Sequence, residues 1–183
     1  MGLFDIFKKK EEKTYDPTDL KITEMDVGFI VDYDLKTWQV KAVGEYDWGN
    51  NNYSLEYKLD SGDEVLFLEV EDDDELVLKV NKKLKIRSID EDLPERIVKK
   101  ERPPKKLEYQ GTTYYKDDES HGYYKDRAKK TDDWDELISW DYYDKEEKQV
   151  LCIEQWGDRE FEASIGKLAK EFEFSNILPP ASE

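Results

Sequence analysis

Val65-Leu66-Phe67-Leu68-Glu69-Val70-Glu71-Asp72-Asp73-Asp74-Glu75-Leu76 is written twice in this chain. The second copy reads Val150-Leu151-Cys152-Ile153-Glu154-Gln155-Trp156-Gly157-Asp158-Arg159-Glu160-Phe161, at an offset of 85 (150 − 65 = 85). Each copy is an apolar run ending in a glutamate, then a polar turn, then a return to apolar residues. That is the pattern of two antiparallel strands joined by a tight connection. Aligned without a gap, 53–78 and 138–163 share Ser54/Ser139, Tyr57/Tyr142, Val65/Val150, Leu66/Leu151, Glu69/Glu154, Asp73/Asp158 and Glu75/Glu160. Glu56/Asp141, Leu68/Ile153 and Leu76/Phe161 are chemically alike at the same offset. The reading is an all-β, antiparallel, duplicated β-meander, forming either two small barrel-like lobes or one two-sheet body.

The flanking sequence extends the pattern. Gly28 to Tyr33 reads as a strand, Asp34-Leu35-Lys36 as a turn, and Thr37 to Val43 as its partner, with Trp38, Val40 and Ala42 on one face. Tyr53 to Leu59 is a third strand, the opening stretch supplies the next two, and Lys83 to Ile89 alternates again. In the second half, Leu107 to Tyr115 is a hairpin turning near Gly111, Lys116 to Asp133 is a long hydrophilic stretch, and Trp134 to Tyr143 precedes the repeated pair. Gly166 to Lys170 reads as one helical turn and Glu171 to Ile177 as a closing strand. The division follows: 1–18 an N-terminal amphipathic segment and linker, 19–89 a first β repeat, 90–106 a charged linker, 107–183 a second β repeat. Pro94, Pro103 and Pro104 make 90–106 a semi-stiff spacer. Its basic cluster (Arg96, Lys99, Lys100, Arg102, Lys105, Lys106) is either a solvated run or a dock for anionic lipid or an acidic partner.

Leu3, Phe4, Ile6 and Phe7 would form the apolar patch of a short N-terminal helix, with Lys8, Lys9 and Lys10 beyond it. Such a segment needs a surface to lie on. It is a candidate for docking on a partner or on a membrane, where apolar insertion and attraction to anionic lipid add. The bland alternative is a frayed terminus.

Composition limits function. With 46 acidic and 29 basic residues the net charge is −17, a field that repels phosphate backbones and argues against nucleic acid as a partner. The 24 aromatics (5 Trp, 12 Tyr, 7 Phe) argue against disorder. A single cysteine and the lack of a secretory or membrane-spanning pattern fit a cytoplasmic protein. One His and one Cys cannot assemble a zinc site, and Asp72-Asp73-Asp74-Glu75 lacks the spacing of a calcium loop. No metal or other cofactor is expected. His121 has no predictable partner and Cys152 reads as a packed apolar residue, so no catalytic residue is assigned. The repeated Glu69 and Glu154 are the carboxylates of interest. Pseudo-twofold packing would bring them together, with tryptophans such as Trp38 and Trp156 beside them, to hold a cation such as a polyamine. The plainer alternative is that each anchors its own hairpin.

Val27-Gly28-Phe29-Ile30-Val31-Asp32-Tyr33, Leu55-Glu56-Tyr57-Lys58-Leu59, Leu66-Phe67-Leu68-Glu69-Val70, Tyr142-Tyr143-Asp144 and Ile153-Glu154-Gln155-Trp156-Gly157 together resemble the bacterial family catalogued as domain of unknown function 4178. The resemblance spans roughly residues 20–178. It implies no established enzymatic activity and no catalytic residues to carry over. Gene neighbours of phage-shock and polyamine-synthase-like type imply an envelope or polyamine context. The expectation is therefore a non-enzymatic, protein-binding or adaptor module of the bacterial cytoplasm, peripheral at the inner membrane face. The alternative is a polyamine-type cation binder, or an enzyme, using paired carboxylates and aromatics.

Overall fold

The computed structural model describes residues 20–131 and 133–181. The short helix expected over residues 1–13, and with it the docking role of Leu3, Phe4, Ile6, Phe7, Lys8, Lys9 and Lys10, lies outside the described residues. In chain order the elements are β1 (Ile30–Tyr33), β2 (Lys36–Asp47), β3 (Tyr53–Asp60), β4 (Val65–Asp72), β5 (Leu76–Leu84), α1 (Leu93–Lys100), β6 (Lys106–Tyr109), β7 (Thr112–Asp126), β8 (Asp135–Tyr143), β9 (Gln149–Trp156), β10 (Glu160–Ala169) and β11 (Phe174–Leu178). Single 3-10 turns cover Ile22–Glu24, Ile86–Ser88 and Glu171–Glu173. The all-β antiparallel reading holds. All eleven strands join one sheet in the order β11-β1-β2-β3-β4-β5-β10-β9-β8-β7-β6, and a further β2–β7 pairing closes eight of them into a ring.

The ring closes because β2 and β7 each serve two neighbours. The first part of β2 pairs with β1, and its last residues, Gly44 to Asp47, pair with Asp126 to Tyr123 of β7. Likewise β7 begins on β6 and ends on β2. Each strand changes partner beyond a register shift, between Val40 and Ala42 in β2 and between Lys116 and Asp118 in β7. An extra residue in one strand bends it and reverses which side chains face which way. Before the shift, Trp38 and Val40 point outward into an apolar cluster; after it, Val43 does. Tyr46, at even spacing from Trp38, is thereby turned to the inside.

Apolar residues gather outside the ring, in two clusters. The first joins Leu66, Leu68, Val70, Tyr57, Leu59, Leu78 and Val80 to Ile22, Met25, Phe29, Val31 and Phe174. The second joins Trp140, Tyr142, Leu151 and Ile153 to Leu93 and Ile97 of α1 and Leu107 of β6. Each meander thus buries its apolar face under a covering layer, the first under residues 22–31 together with Phe174 and the second under α1 and β6, which leaves the opposite face of every ring strand turned inward.

Three local expectations are corrected. Residues 90–106 are not a solvated spacer: Leu93 and Ile97 lie four apart on one face of α1 and are fully buried, and Pro94 stands in its first turn, where a missing N–H is harmless. Lys116 to Asp126, read as a hydrophilic stretch, is strand: it sends Asp118 and Ser120 to the cavity inside the ring, and Asp117, Glu119 and His121 are exposed. Gly166 to Ala169 continues β10 instead of turning helical, held by its ladder to β5. No helix among the described residues is long and apolar enough to cross a membrane.

Candidate functional site: a polar cavity inside the ring

The inward faces of the ring enclose a cavity of about 120 Å³ to which all eight strands or their immediate ends contribute. Its acidic lining is Glu56, Glu69, Glu71, Asp118, Asp141 and Glu154, against Lys79 and Lys83. Six carboxyls and two ammonium groups leave a formal excess of four negative charges (6 − 2 = 4) if all are ionised. Asn52, Asn81, Ser120, Ser139, Ser164, Cys152, Tyr46 and Trp48 complete the wall.

Strand register explains this set. Glu56 is the Cα partner of Glu69 across β3–β4, and Glu69 is the partner of Lys79 across β4–β5. Directly opposed residues share a face. In the second repeat the pairing is offset by two residues, so that Ser139, not Asp141, stands opposite Glu154. A two-residue offset preserves facing, where a one-residue slip would have turned these carboxyls outward. Both repeated glutamates therefore reach the same cavity.

The lysines hold part of the charge. Lys79 Nζ lies 2.6 Å from Asp141 Oδ2 and 3.6 Å from Glu69 Oε1. Burial alone would lower its pKa, but Glu69 and Asp141 outweigh this and hold it well above the ordinary value. Lys83 Nζ lies 3.5 Å from Glu154 and 2.8 Å from Glu162, and there too the neighbouring acids overcome burial and raise it. Tyr46 donates to Glu154 Oε1 at 3.2 Å. Burial raises the carboxyls of Glu69 and Glu154 despite their lysines.

Glu56 differs. No hydrogen bond or ion pair reaches its carboxyl among the described residues, and burial, reinforced by Glu154 and Glu69 against the pull of Lys83, pushes it up to about 8. The side-chain oxygens of Asn81 and Asn52 are likewise buried without a donor. Two carbonyl acceptors lining this cavity, Asn81 Oδ1 and Asn52 Oδ1, are thus left without a donor, in a setting where each unpaired buried acceptor costs about 1–3 kcal/mol.

An aromatic wall closes one side. Tyr46 stacks on Trp48 with centroids 5.1 Å apart, and Tyr124 tilts against Tyr46 at 4.9 Å. Two glycines make room: a Cβ on Gly44 would run into the Tyr124 ring, and one on Gly122 would stand 2.6 Å from Trp48. Trp48 donates to Ser54 Oγ at 2.9 Å, which fixes its ring against β3.

The residues singled out by sequence fare differently. Glu69 and Glu154 both line the cavity. Trp38 does not: it is buried in the first apolar cluster and donates to the Tyr33 carbonyl, because the bulge in β2 separates its face from that of Tyr46. Trp156 sits one ring further out, edge-on to Tyr124 at 5.4 Å. Glu56, Lys79, Lys83, Asn81 and Tyr46 were missed, although the Glu56/Asp141 correspondence at offset 85 was a signal for two of the acids. His121 is exposed and lies 3.7 Å from Glu119, whereas the Cys152 thiol bonds Ser139 at 3.3 Å and is pushed well up by burial. Among the described residues no group of three or more His, Cys, Asp or Glu side chains is arranged to hold a metal ion.

No solved structure matches this chain. An uncharacterised protein of Aquifex aeolicus is 26% identical over 186 residues, covering 98% of this chain and 99% of the relative. Residues 26–171 match the family described as Domain of unknown function (DUF4178), a span that takes in all eight ring strands and every cavity-lining residue, and the chain belongs to that family.

Proposed function

We propose that this protein binds a small organic cation, an amine or polyamine, inside its ring of strands and does so without catalysing a reaction. The observation that carries the reading is that Asn81 and Asn52 line the cavity with buried carbonyl oxygens that have no donor, beside a Glu56 carboxyl that no cation pairs and that becomes a further acceptor once it ionises. A bound donor would satisfy them, and an ammonium group would offset the excess negative charge as well. Size points the same way. Pockets for drug-sized ligands run roughly 300–1,000 Å³, whereas about 120 Å³ suits a slender aliphatic chain. The inert setting of Cys152, together with His121 standing exposed beside Glu119, supports a non-catalytic role. A protein-docking role would draw on exposed apolar chains such as Leu35 and Phe172, but these do not explain a charged interior.

The test is calorimetric titration of the full chain with putrescine and with spermidine, in two buffers of different ionisation enthalpy. Saturable binding is expected, with a heat that depends on the buffer, because Glu56 gives up its proton on pairing with an ammonium group. Glu56→Gln should weaken binding about tenfold or more, the scale of one charge-assisted hydrogen bond. Absence of saturable heat with both amines, at low salt and at pH 8 to 9, would remove the proposal.

A further inference from the structure

A second charged site stands on the outer surface, where α1, the Pro103–Pro104 segment and β7 meet. The pocket there, of about 310 Å³, is lined by Arg96, Lys100, Arg102, Pro103, Pro104, Lys105 and Lys116. Five of its seven lining residues are basic and none is acidic, in a chain with 46 acidic and 29 basic residues. Two of the five are spoken for: Arg96 binds Asp90 at 2.6 Å and Lys116 binds Glu119 at 3.0 Å. Lys100, Arg102 and Lys105 have no side-chain hydrogen bond or ion pair among the described residues. The local balance is +3 (5 − 2). In addition, Arg96 Nε is buried with no acceptor.

The cluster is not on a mobile tether. Ile97 anchors α1 in the second apolar cluster, Pro103 is buried, the Pro104 carbonyl accepts from Tyr142 Oη at 2.8 Å, and Lys116 N–H donates to the Lys105 carbonyl at 2.9 Å. The cations are therefore presented from fixed backbone. Part of this charge has a local use, since basic side chains at a helix C-terminus offset its dipole. That dipole amounts to roughly half a charge, which accounts for only a fraction of +3.

The geometry points to an anion-binding site here that takes a phosphoryl group. Two guanidinium groups supply forked donors that match phosphate oxygens, and three ammonium groups supply point charge for a dianion. The surrounding protein carries a net charge of −17. Its repulsion is long-ranged and screened over about 8–10 Å at moderate salt, so the pocket is selective for an anion small enough to enter it, and long nucleic acid stays disfavoured. The same phosphoryl chemistry occurs on soluble esters and on lipid headgroups, and the two differ in the surface that presents it.

The experiment is amide NMR of the isotope-labelled full chain titrated with inorganic phosphate and with pyrophosphate, against sodium chloride at matched ionic strength. In parallel, the protein is co-sedimented with phosphatidylcholine vesicles with and without phosphatidylglycerol. The variants are Arg102→Gln with Lys105→Gln, and as a charge-matched control Lys58→Gln with Lys145→Gln; all four positions are exposed. Saturable shifts confined to residues 96–105 and 116 are expected. The pocket variant should bind about tenfold or more weakly, the scale of two lost charge-assisted contacts, with the control unchanged. Binding of phosphate or pyrophosphate alone assigns a soluble ligand; sedimentation with phosphatidylglycerol vesicles that the pocket variant loses assigns a headgroup. Shifts no larger than those with chloride, together with no pocket-dependent sedimentation, overturn the inference, as does equal loss in both variants.

Discussion

Glu56 shows what a single buried carboxyl does when it has no counterpart. Its neighbours Glu69 and Glu154 each have a lysine within 3.6 Å, but Glu56 has only the more distant field of Lys83 to oppose burial, and its pKa rises from the ordinary 4.5 to about 8. The consequence for stability follows from proton counting. At low pH Glu56 is protonated in both the folded and the unfolded chain. As pH rises from 4.5 towards 8 the unfolded chain ionises while the folded one keeps its proton, so folding binds the extra proton and stability falls across that window. Above it the loss is complete. Glu56→Gln removes this dependence. Its stability should match the wild type near pH 4.5 and exceed it at pH 8 to 9 by on the order of a few kcal/mol, seen as a higher melting temperature there. Because Glu69 and Glu154 are also raised, the variant keeps a shallower slope of the same sign. Thermal melts at pH steps from 4.5 to 9, free of amines, check this. A wild-type curve parallel to that of the variant would mean that Glu56 is ionised at neutral pH in the fold, and the case for proton release on amine binding would fall with it.

Among the elements, β10 depends on one position where no side chain fits. Gly166 is opposite Asn81 of β5 and Val150 of β9, and a Cβ there would fall on the Val80 carbonyl oxygen and on Asn81 Oδ1. A backbone oxygen in a paired central strand cannot step aside cheaply, so Gly166→Ala should destabilise by about 3 kcal/mol, the upper part of the usual overpacking range. Denaturant unfolding measures it; a loss within about 0.5 kcal/mol, the size of a neutral surface change, would show that β5 and β10 part more easily than the ladder implies. The strands themselves were readable because half-buried strands alternate and the 85-residue offset wrote the pattern twice. Glu69 and Glu154 were readable for the same reason: duplication preserves facing. What could not be read was the bulge in β2. Nothing in Val40-Lys41-Ala42 announces an extra residue, and without it Trp38 and Tyr46 count as one face. The site therefore gained Tyr46 and Trp48 and lost Trp38 through a single backbone irregularity. Residues 90–106 misled differently. Prolines and charges outnumber the apolar residues there, yet Leu93 and Ile97 alone, four apart, suffice to dock α1.

At the scale of the molecule, the sheet ties the two repeats together at three seams, one of them the short pairing of β1 with β11. Seven residue pairs join β5 to β10, and four join β2 to β7. The two apolar clusters lie outside the ring and share no residue, although the first takes Ala169 and Phe174 from the second repeat; the bodies of the two repeats would still unfold separately if the joins were weak. The cavity argues against that. Lys79, from the first repeat, is bound to Asp141 of the second, and Tyr46 and Lys83, again from the first, are bound to Glu154. Separating the repeats would leave these charges without their partners, and breaking a buried pair costs about 3–5 kcal/mol. The chain should therefore unfold in one transition. Trp38 reports on the first cluster and Trp140 on the second; Trp38→Phe leaves three of four tryptophans (Trp134, Trp140, Trp156) in the second repeat, and Trp140→Phe leaves two in each, so the two variants weight the repeats differently. In guanidinium chloride, the fluorescence midpoint of each variant should coincide with that variant's own far-ultraviolet dichroism midpoint, as all-or-none unfolding requires. Two separated fluorescence transitions would mean that the repeats are independent folding units and that the polar ring between them is an interface, not a shared interior.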